Sequence, residues 1–115
     1  MIQILWIFEA LPDRLADFEK AYGVNGQWVQ LFRRGEGYVE TDLLRDSERP
    51  NRFLVLDKWR DLASFESFKR HYQEAYDELD RQCEELILVE TQIGTFSSWL
   101  GLSGVSQGII FVRRQ

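Results

Sequence analysis

Residues 53–59, with the sequence FLVLDKW, give the strongest β-strand signal in the chain. Side chains alternate between the two faces of a strand, so the pattern can be read one face at a time. Both faces are apolar here, one with Phe53, Val55 and Trp59 and the other with Leu54 and Leu56. A sheet built around such a strand must be covered on both sides.

The remaining segments predict three more strands and two main helices. The strands are residues 2–9, 38–45 and 85–96, and the helices are residues 12–22 and 62–84, with a further helical turn or two near residues 28–32. The resulting order, βαββαβ, is the split βαβ arrangement. The sequence therefore predicts an α+β, ferredoxin-like domain with a four-stranded antiparallel sheet.

The first and last strands are also apolar on both faces. Two helices cover only one face of a four-stranded sheet, and a bare apolar face of that size is typical of an interface. In a chain of 115 residues, a second copy of the same sheet is the simplest cover. We expect a homodimer in which two sheets pair into an α/β barrel. The alternative is that the C-terminal segment folds back over the sheet.

The chain length predicts one domain at residues 1–96 and a C-terminal extension at residues 97–115. The extension begins with serine and glycine residues and contains a short apolar stretch at residues 109–112. This stretch has the composition of a short strand. An edge strand, an arm reaching a partner subunit and a non-native tail all remain open for it.

Composition excludes several classes of protein. The net charge of −5 argues against binding to nucleic acid, which needs a basic face. No apolar stretch reaches the length of a membrane span, and the N-terminal segment has no basic start of the kind found in signal peptides. Cys83 is the single cysteine, so neither an intrachain disulfide nor a cysteine metal cluster can form. These features predict a cytoplasmic protein without a membrane partner.

Three segments carry a resemblance to a known family: residues 37–46 (GYVETDLLRD), residues 53–68 (FLVLDKWRDLASFESF) and the closing strand at residues 86–96. In this pattern Gly37 and Tyr38 open the second strand, and Trp59 ends the third one before a helix with Phe65 and Phe68. The chain resembles the antibiotic-biosynthesis-monooxygenase-like family of dimeric α/β barrels over about residues 1–96. The resemblance implies a cofactor-independent monooxygenase acting on an aromatic compound, although the family also includes haem-degrading enzymes.

The haem-degrading branch of that family uses an asparagine on the first strand, and a tryptophan and a histidine ligand on the long helix. The matching part of the first strand here is Leu5, Trp6 and Ile7, with no asparagine. Phe68 stands at the tryptophan position, and Glu78 stands at the ligand position. We therefore expect no haem and no other cofactor.

His71 and Tyr72 are the candidate catalytic residues. His71 is the one histidine, and a histidine titrates near neutral pH. Aromatic side chains suit the walls of a pocket for a planar ligand. The predicted ligand-binding residues are Trp28, Tyr38, Trp59, Phe68 and Tyr76. The alternatives are a surface imidazole for His71 and ordinary core packing for the aromatic residues.

Three functions fit the sequence. The first is a cofactor-independent monooxygenase, or a related enzyme, acting on a small aromatic compound. The second is a non-catalytic dimer that holds a small aromatic or apolar ligand in the same cavity. The third is a structural dimer without a ligand. The sequence does not identify a substrate, and whether the protein is an enzyme is left open at this stage.

Overall fold

The computed structural model describes residues 1–99. The strands are β1 (Ile2–Ala10), β2 (Tyr38–Arg45), β3 (Arg52–Trp59) and β4 (Ile87–Ser97). The α-helices are α1 (Leu15–Tyr22), α2 (Gln27–Phe32), α3 (Leu62–His71) and α4 (Gln73–Cys83). Short 3-10 helices precede α1 at Pro12–Arg14 and β4 at Glu84–Leu86. The predicted α+β fold and βαββαβ order are confirmed.

The sheet has the order β2-β3-β1-β4, and every neighbouring pair is antiparallel. The pairing places Trp6 opposite Val55 and Thr41 opposite Asp57. Val55, Asp57 and Trp59 are all buried, whereas the residues between them are half-buried. The helices therefore pack on the face of β3 that carries its odd-numbered residues.

The core under the helices is unusually aromatic. Trp59 is fully buried, and four other rings lie within 5.8 Å of its ring, measured between centroids: Phe32, Tyr38, Phe65 and Phe68. Edge-to-face contacts of this kind add to the free energy of burial. The cluster ties the ends of β2 and β3 to α2 and α3.

The prediction of one continuous helix over residues 62–84 is wrong, because the helix is interrupted at Tyr72. Tyr72 has φ −115° and ψ 29°, which interrupts the helix between α3 and α4. The predicted start is confirmed: the side chain of Asp61 caps α3 by accepting a 2.8 Å hydrogen bond from the backbone N–H of Ser64. The last strand begins at Ile87 and not at residue 85, since a 3-10 turn takes up residues 84–86.

Gly37 fixes the start of β2 against α3. Its φ of +95° is a conformation that glycine adopts readily. A Cβ at this position would lie 2.5 Å from Ser64 Oγ. The carbonyl of Gly37 also accepts a 2.7 Å hydrogen bond from the N–H of Arg60. Close backbone contact and a positive φ both require glycine here.

The face of the sheet away from the helices has an apolar centre, as predicted, and a charged end where Lys58 forms ion pairs with Glu40 and Asp42. Leu5 pairs with Leu56 and Ile7 pairs with Leu54 on this face. Leu44, opposite Leu54, is 52% exposed, and Phe96 on β4 is 50% exposed. Within residues 1–99 no helix covers these side chains.

The predicted C-terminal extension is described only at its start. β4 runs to Ser97, and the apolar stretch at residues 109–112 lies outside the described residues. None of the helices in residues 1–99 is long and apolar enough to cross a membrane.

Candidate functional site

The candidate site is centred on Asp57, an acidic residue on the inner face of the sheet. The alternation of β3 turns its side chain toward the helices, between those of Val55 and Trp59. Asp57 is only 6% exposed. A carboxyl group in this position is costly to bury unless it is protonated or hydrogen-bonded.

Thr41 supplies the hydrogen bond. It lies opposite Asp57 on β2, and its hydroxyl donates to Asp57 Oδ1 over 2.8 Å. The hydroxyl of Tyr38 lies 2.8 Å from Thr41 Oγ1. A hydroxyl has one proton to donate, so Tyr38 donates to Thr41 while Thr41 donates to Asp57. The three side chains form one hydrogen-bonded chain.

An irregularity in β2 makes this chain possible. Tyr38 and Thr41 are three residues apart and would lie on opposite faces of a regular strand. The register shifts between Tyr38 and Glu40, so that Val39 has no partner on β3. A bulge of this kind turns the side chains of Tyr38 and Thr41 to the same face.

Burial controls the ionisation of Asp57. It raises the pKa of this carboxyl group from 3.8 to about 7, and the hydrogen bond from Thr41 acts in the opposite direction. A carboxyl group with a pKa near 7 can accept and return a proton at neutral pH. This is the property that general bases in enzymes require.

Asp57 lines a narrow cavity between the sheet and the helices. The lining is mainly aromatic and comprises Trp6, Phe8, Tyr22, Trp28, Val29, Phe32, Thr41, Val55, Asp57, Tyr76, Asp80 and Glu90. The cavity volume is about 40 Å³. A water molecule needs roughly 10–15 Å³ on this measure, so the cavity has room for a few waters.

The mouth of the cavity is acidic. Trp6, Tyr76 and Asp80 are half-buried and Glu90 is exposed, whereas the other lining residues are buried. Partial burial raises the pKa of Glu90, and the negative charges of Asp80 and Glu84 raise it further. The mouth therefore concentrates negative charge.

Polar aromatic groups line the cavity from its mouth, at Tyr76, to its interior, at Tyr22 and Trp28. Burial raises the pKa of the Tyr22 hydroxyl and that of Tyr76, so both stay protonated at neutral pH. Trp28 is 8% exposed, and its Nε1–H makes no well-formed hydrogen bond among residues 1–99, although it lies near the Tyr22 hydroxyl and the Cys83 thiol. A buried donor without a well-formed hydrogen bond costs free energy, which a bound acceptor can recover.

The site residues predicted from the sequence lie in different parts of the structure. Trp28 and Tyr76 line the cavity, and their rings make an edge contact with centroids 4.9 Å apart. Tyr38 reaches Asp57 through Thr41. Trp59 and Phe68 pack in the aromatic core, where their ring centroids are 5.1 Å apart.

His71 and Tyr72 line a different feature, an open groove of about 460 Å³ along α3. Arg34, Arg60 and Ser64 share this groove. His71 is exposed, and the Tyr72 hydroxyl makes a long, 3.4 Å hydrogen bond to the carbonyl of Arg34. The catalytic role assigned to these two residues stays a prediction.

The sequence analysis did not select Asp57, Thr41, Asp80 or Glu90. One signal was available: Asp57 occupies an inward position of the strongest predicted strand, between Val55 and Trp59. A polar residue at a predicted core position often marks a functional site. Asp80 and Glu90 gave no such signal, because acidic residues on a helix or an edge strand usually face solvent.

The cavity acids do not amount to a metal centre. Among residues 1–99 no three histidine, cysteine or acidic side chains are placed to hold a metal ion together. What the arrangement offers is a proton acceptor at neutral pH, hydrogen-bond donors and aromatic walls.

The chain is thus a small ferredoxin-like α+β protein with a buried carboxyl group in an aromatic cavity between the sheet and the helices. The sequence profile described as antibiotic biosynthesis monooxygenase matches residues 1–79. The chain belongs to this family, as the resemblance in the sequence predicted. No curated protein sequence matches the chain at a significant level.

Solved structures support the fold. SnoaB, a cofactor-independent oxygenase from Streptomyces nogalater, is similar with a TM-score of 0.71 and 19% identity, covering 85% of this chain and 92% of SnoaB. A candidate antibiotic biosynthesis monooxygenase from Bordetella bronchiseptica has a TM-score of 0.70 and 23% identity, with coverage of 86% and 97%. One from Deinococcus radiodurans has a TM-score of 0.69 and 13% identity, with coverage of 96% and 99%.

Proposed function

We propose that this protein is a cofactor-independent monooxygenase that acts on a small hydroxylated aromatic compound, with Asp57 as its general base. One observation carries the proposal: a buried carboxyl group with a pKa of about 7 lines a cavity whose walls are aromatic rings. Family membership and the described activity of SnoaB support it.

The proposed reaction begins with loss of a phenolic proton to Asp57. The phenolate passes an electron to O2, and the resulting radical pair combines to form a bond between oxygen and a ring carbon. Asp57 returns its proton to the peroxide oxygen. The O–O bond then breaks, and the departing hydroxide takes the proton of that ring carbon and leaves as water. Phenol and O2 thus give quinone and water, with substrate oxidised and O2 reduced.

The residues around Asp57 have separate roles in this scheme. Ionised Asp57 accepts the proton, so the negative charge passes from the carboxylate to the substrate and the total charge in the cavity is unchanged. Thr41 and Tyr38 hold the carboxyl group in place through their hydrogen bonds. A bound substrate would displace the few waters that the cavity can hold, and the surrounding rings would then limit the access of water to the intermediates.

Substrate admission requires movement at the mouth. A cavity of about 40 Å³ does not hold an aromatic ring, so the half-buried side chains of Trp6 and Tyr76 must move apart. Both are large rings at the edge of the core. In this proposal the pocket reaches its full size only when the substrate binds.

The test of the proposed function is oxygen uptake with a panel of 1-naphthols and anthrones, in which the ring carbon to be oxygenated carries hydrogen, each compared with its spontaneous oxidation. Wild-type protein should accelerate uptake for at least one class and consume one O2 for each quinone formed, without releasing hydrogen peroxide. Asp57→Asn should abolish the acceleration without changing the fold. If no class is oxidised faster than in buffer, the proposal is wrong.

We also propose that the protein works as a homodimer that pairs the outer faces of two sheets. The support is the apolar outer face, where leucines of β1, β2 and β3 adjoin Phe96 of β4. Burying such a face against a second copy stabilises both chains by about 25 cal/mol for each Å² of apolar surface removed from water. Native mass spectrometry of freshly purified protein tests the subunit number.

A further inference from the structure

The cavity around Asp57 has a one-sided charge. Three of its lining side chains are carboxyl groups, those of Asp57, Asp80 and Glu90. Within the described part of the chain, the lining includes no lysine, arginine or histidine. A site built for an anionic substrate would be expected to present at least one cationic group.

The electrostatic effect of these acids reaches the neighbouring groups. Negative charge on Asp80 raises the pKa of both Glu90 and Tyr76, in addition to the effect of burial. The field at the mouth therefore opposes a second negative charge and favours a positive one.

The aromatic walls favour the same kind of ligand. The face of an aromatic ring attracts a cation, most strongly for tryptophan and tyrosine, and Trp6, Trp28 and Tyr76 all line the cavity. Tyr76 already has such a contact, because Lys69 Nζ lies 4.3 Å from the centroid of its ring. Lys69 itself is not part of the lining.

Two buried side chains that line the cavity have hydrogen-bonding capacity left over. Asp57 receives its one hydrogen bond on Oδ1, and Oδ2 has none from residues 1–99. The Nε1–H of Trp28, a side chain more than nine-tenths buried, makes no well-formed hydrogen bond there, although the Tyr22 hydroxyl and the Cys83 thiol lie near it. A ligand hydroxyl can donate to Oδ2, and a ligand oxygen can accept from the indole. The polar groups in the interior favour a hydroxyl group on the ligand, and the acids at the mouth favour a cationic group at its other end.

We propose that the ligand is a hydroxylated aromatic amine, with its phenol end toward Asp57 and its ammonium group between Asp80 and Glu90. This inference rests on the proposed function only for the phenol end and for the location of the site. The ammonium group compensates the charge of the mouth acids and contacts the ring face of Trp6.

Three phenols of similar size test the charge preference: tyramine, which is a cation at neutral pH, tyrosol, which is neutral, and 4-hydroxyphenylacetate, which is an anion. Binding is measured without oxygen, by isothermal titration calorimetry on the full-length protein. Tyramine should bind roughly tenfold tighter than tyrosol, and 4-hydroxyphenylacetate should bind weakest. The advantage of tyramine should shrink as salt is added.

Variants locate the preference within the protein. The double variant Asp80→Asn, Glu90→Gln should bring tyramine down to the affinity of tyrosol and leave tyrosol unchanged. Glu74→Gln, an exposed acid on α4 outside the cavity lining, is the matched control and should keep the full preference. Equal or tighter binding of tyrosol or the anion overturns the inference. So does a preference that survives in the double variant, or a failure of all three phenols to bind.

The outcome for the reaction is separate. If tyramine binds preferentially but no oxygen is consumed, the ligand class holds and the monooxygenase proposal fails. If oxygen uptake depends on Asp57 but neutral and cationic phenols bind equally, the monooxygenase proposal holds and the amine inference fails.

Discussion

The hydroxyl of Thr41 donates a 2.8 Å hydrogen bond to the carboxyl group of Asp57, across the pairing of β2 and β3. The bond is buried, and the two residues are direct partners in the register of the sheet. Because the hydrogen bond is strongest when Asp57 is ionised, it lowers the pKa of a carboxyl group that burial raises. The balance of these two effects sets the pH at which Asp57 can act as a base.

Thr41→Val should therefore raise the pKa of Asp57 above its value of about 7. Valine keeps the shape of threonine but cannot donate a hydrogen bond, so the charged carboxylate loses stabilisation. The measurement is an NMR titration of the Asp57 carboxyl carbon. Thr41→Ser is the control, since it keeps the hydroxyl and should leave the titration near that of wild type. An unchanged pKa in Thr41→Val would show that the hydrogen bond is weak in solution.

Asp57→Asn should remove the proposed catalysis. Asparagine is nearly isosteric and can still accept the hydrogen bond from Thr41, but it cannot take a proton. Loss of a general base lowers turnover by roughly 10²–10⁴-fold. In wild-type protein, turnover should rise with pH through a midpoint near 7, as Asp57 loses its proton. Steady-state oxygen uptake between pH 5 and 9 measures both effects, and a flat profile would contradict the assignment of the base.

The same carboxyl group should make stability depend on pH. The pKa of Asp57 is higher in the folded chain than in the unfolded one, so the folded chain binds more protons between about pH 4 and 7. The free energy of unfolding must then fall as pH rises through this window and level off above it. In Asp57→Asn the side chain does not titrate, so this part of the pH dependence of the free energy of unfolding should be missing.

The difference between the two proteins isolates the effect of Asp57. Between pH 4 and pH 8, wild-type protein should lose on the order of 2–4 kcal/mol more free energy of unfolding than Asp57→Asn does. Urea unfolding at the two pH values, followed by circular dichroism, measures it. Equal pH dependence in the two proteins would mean that Asp57 ionises normally.

The order of secondary structure was predictable because it depends on local patterns. The alternation in residues 53–59 and the Asp61 cap are both visible in the sequence, and both are confirmed. The break at Tyr72 was not predictable in the same way. Phe68, Tyr72 and Tyr76 keep a spacing of four residues across it, so the apolar stripe continues from α3 to α4 and gives no sign of the interruption.

The centre of the candidate site was harder to predict, because it depends on register. Thr41 and Asp57 are 16 residues apart, and they meet only because β2 and β3 pair in one particular alignment. Glu90 reaches the same cavity through its pairing with Phe8 on β1. Strand register is fixed by the whole sheet, so motifs in a single segment cannot reveal such a group.

His71→Ala and Tyr72→Phe distinguish the cavity from the groove along α3. Both side chains line the groove and neither lines the cavity around Asp57. If Asp57 is the base, the two variants should keep turnover within about threefold of wild type, as substitutions remote from the chemistry usually do. A loss of 100-fold or more in either variant, with full activity in Asp57→Asn, would move the active site to the groove.

Charge on the outer face of the sheet should prevent the proposed dimer. Leu44→Glu introduces a carboxylate into the apolar face, where pairing with a second copy would bury it without a partner. Val24→Glu is the matched control, because Val24 is 54% exposed, close to the 52% of Leu44, but lies between α1 and α2. Native mass spectrometry at several concentrations should show a dimer for wild type and for Val24→Glu. The dissociation constant of the Leu44→Glu dimer should be at least roughly tenfold higher.

A wild-type monomer at every concentration would contradict the proposed dimer. Another part of the protein would then have to cover the outer face, and the segment after residue 99 would be the part of the chain to test next.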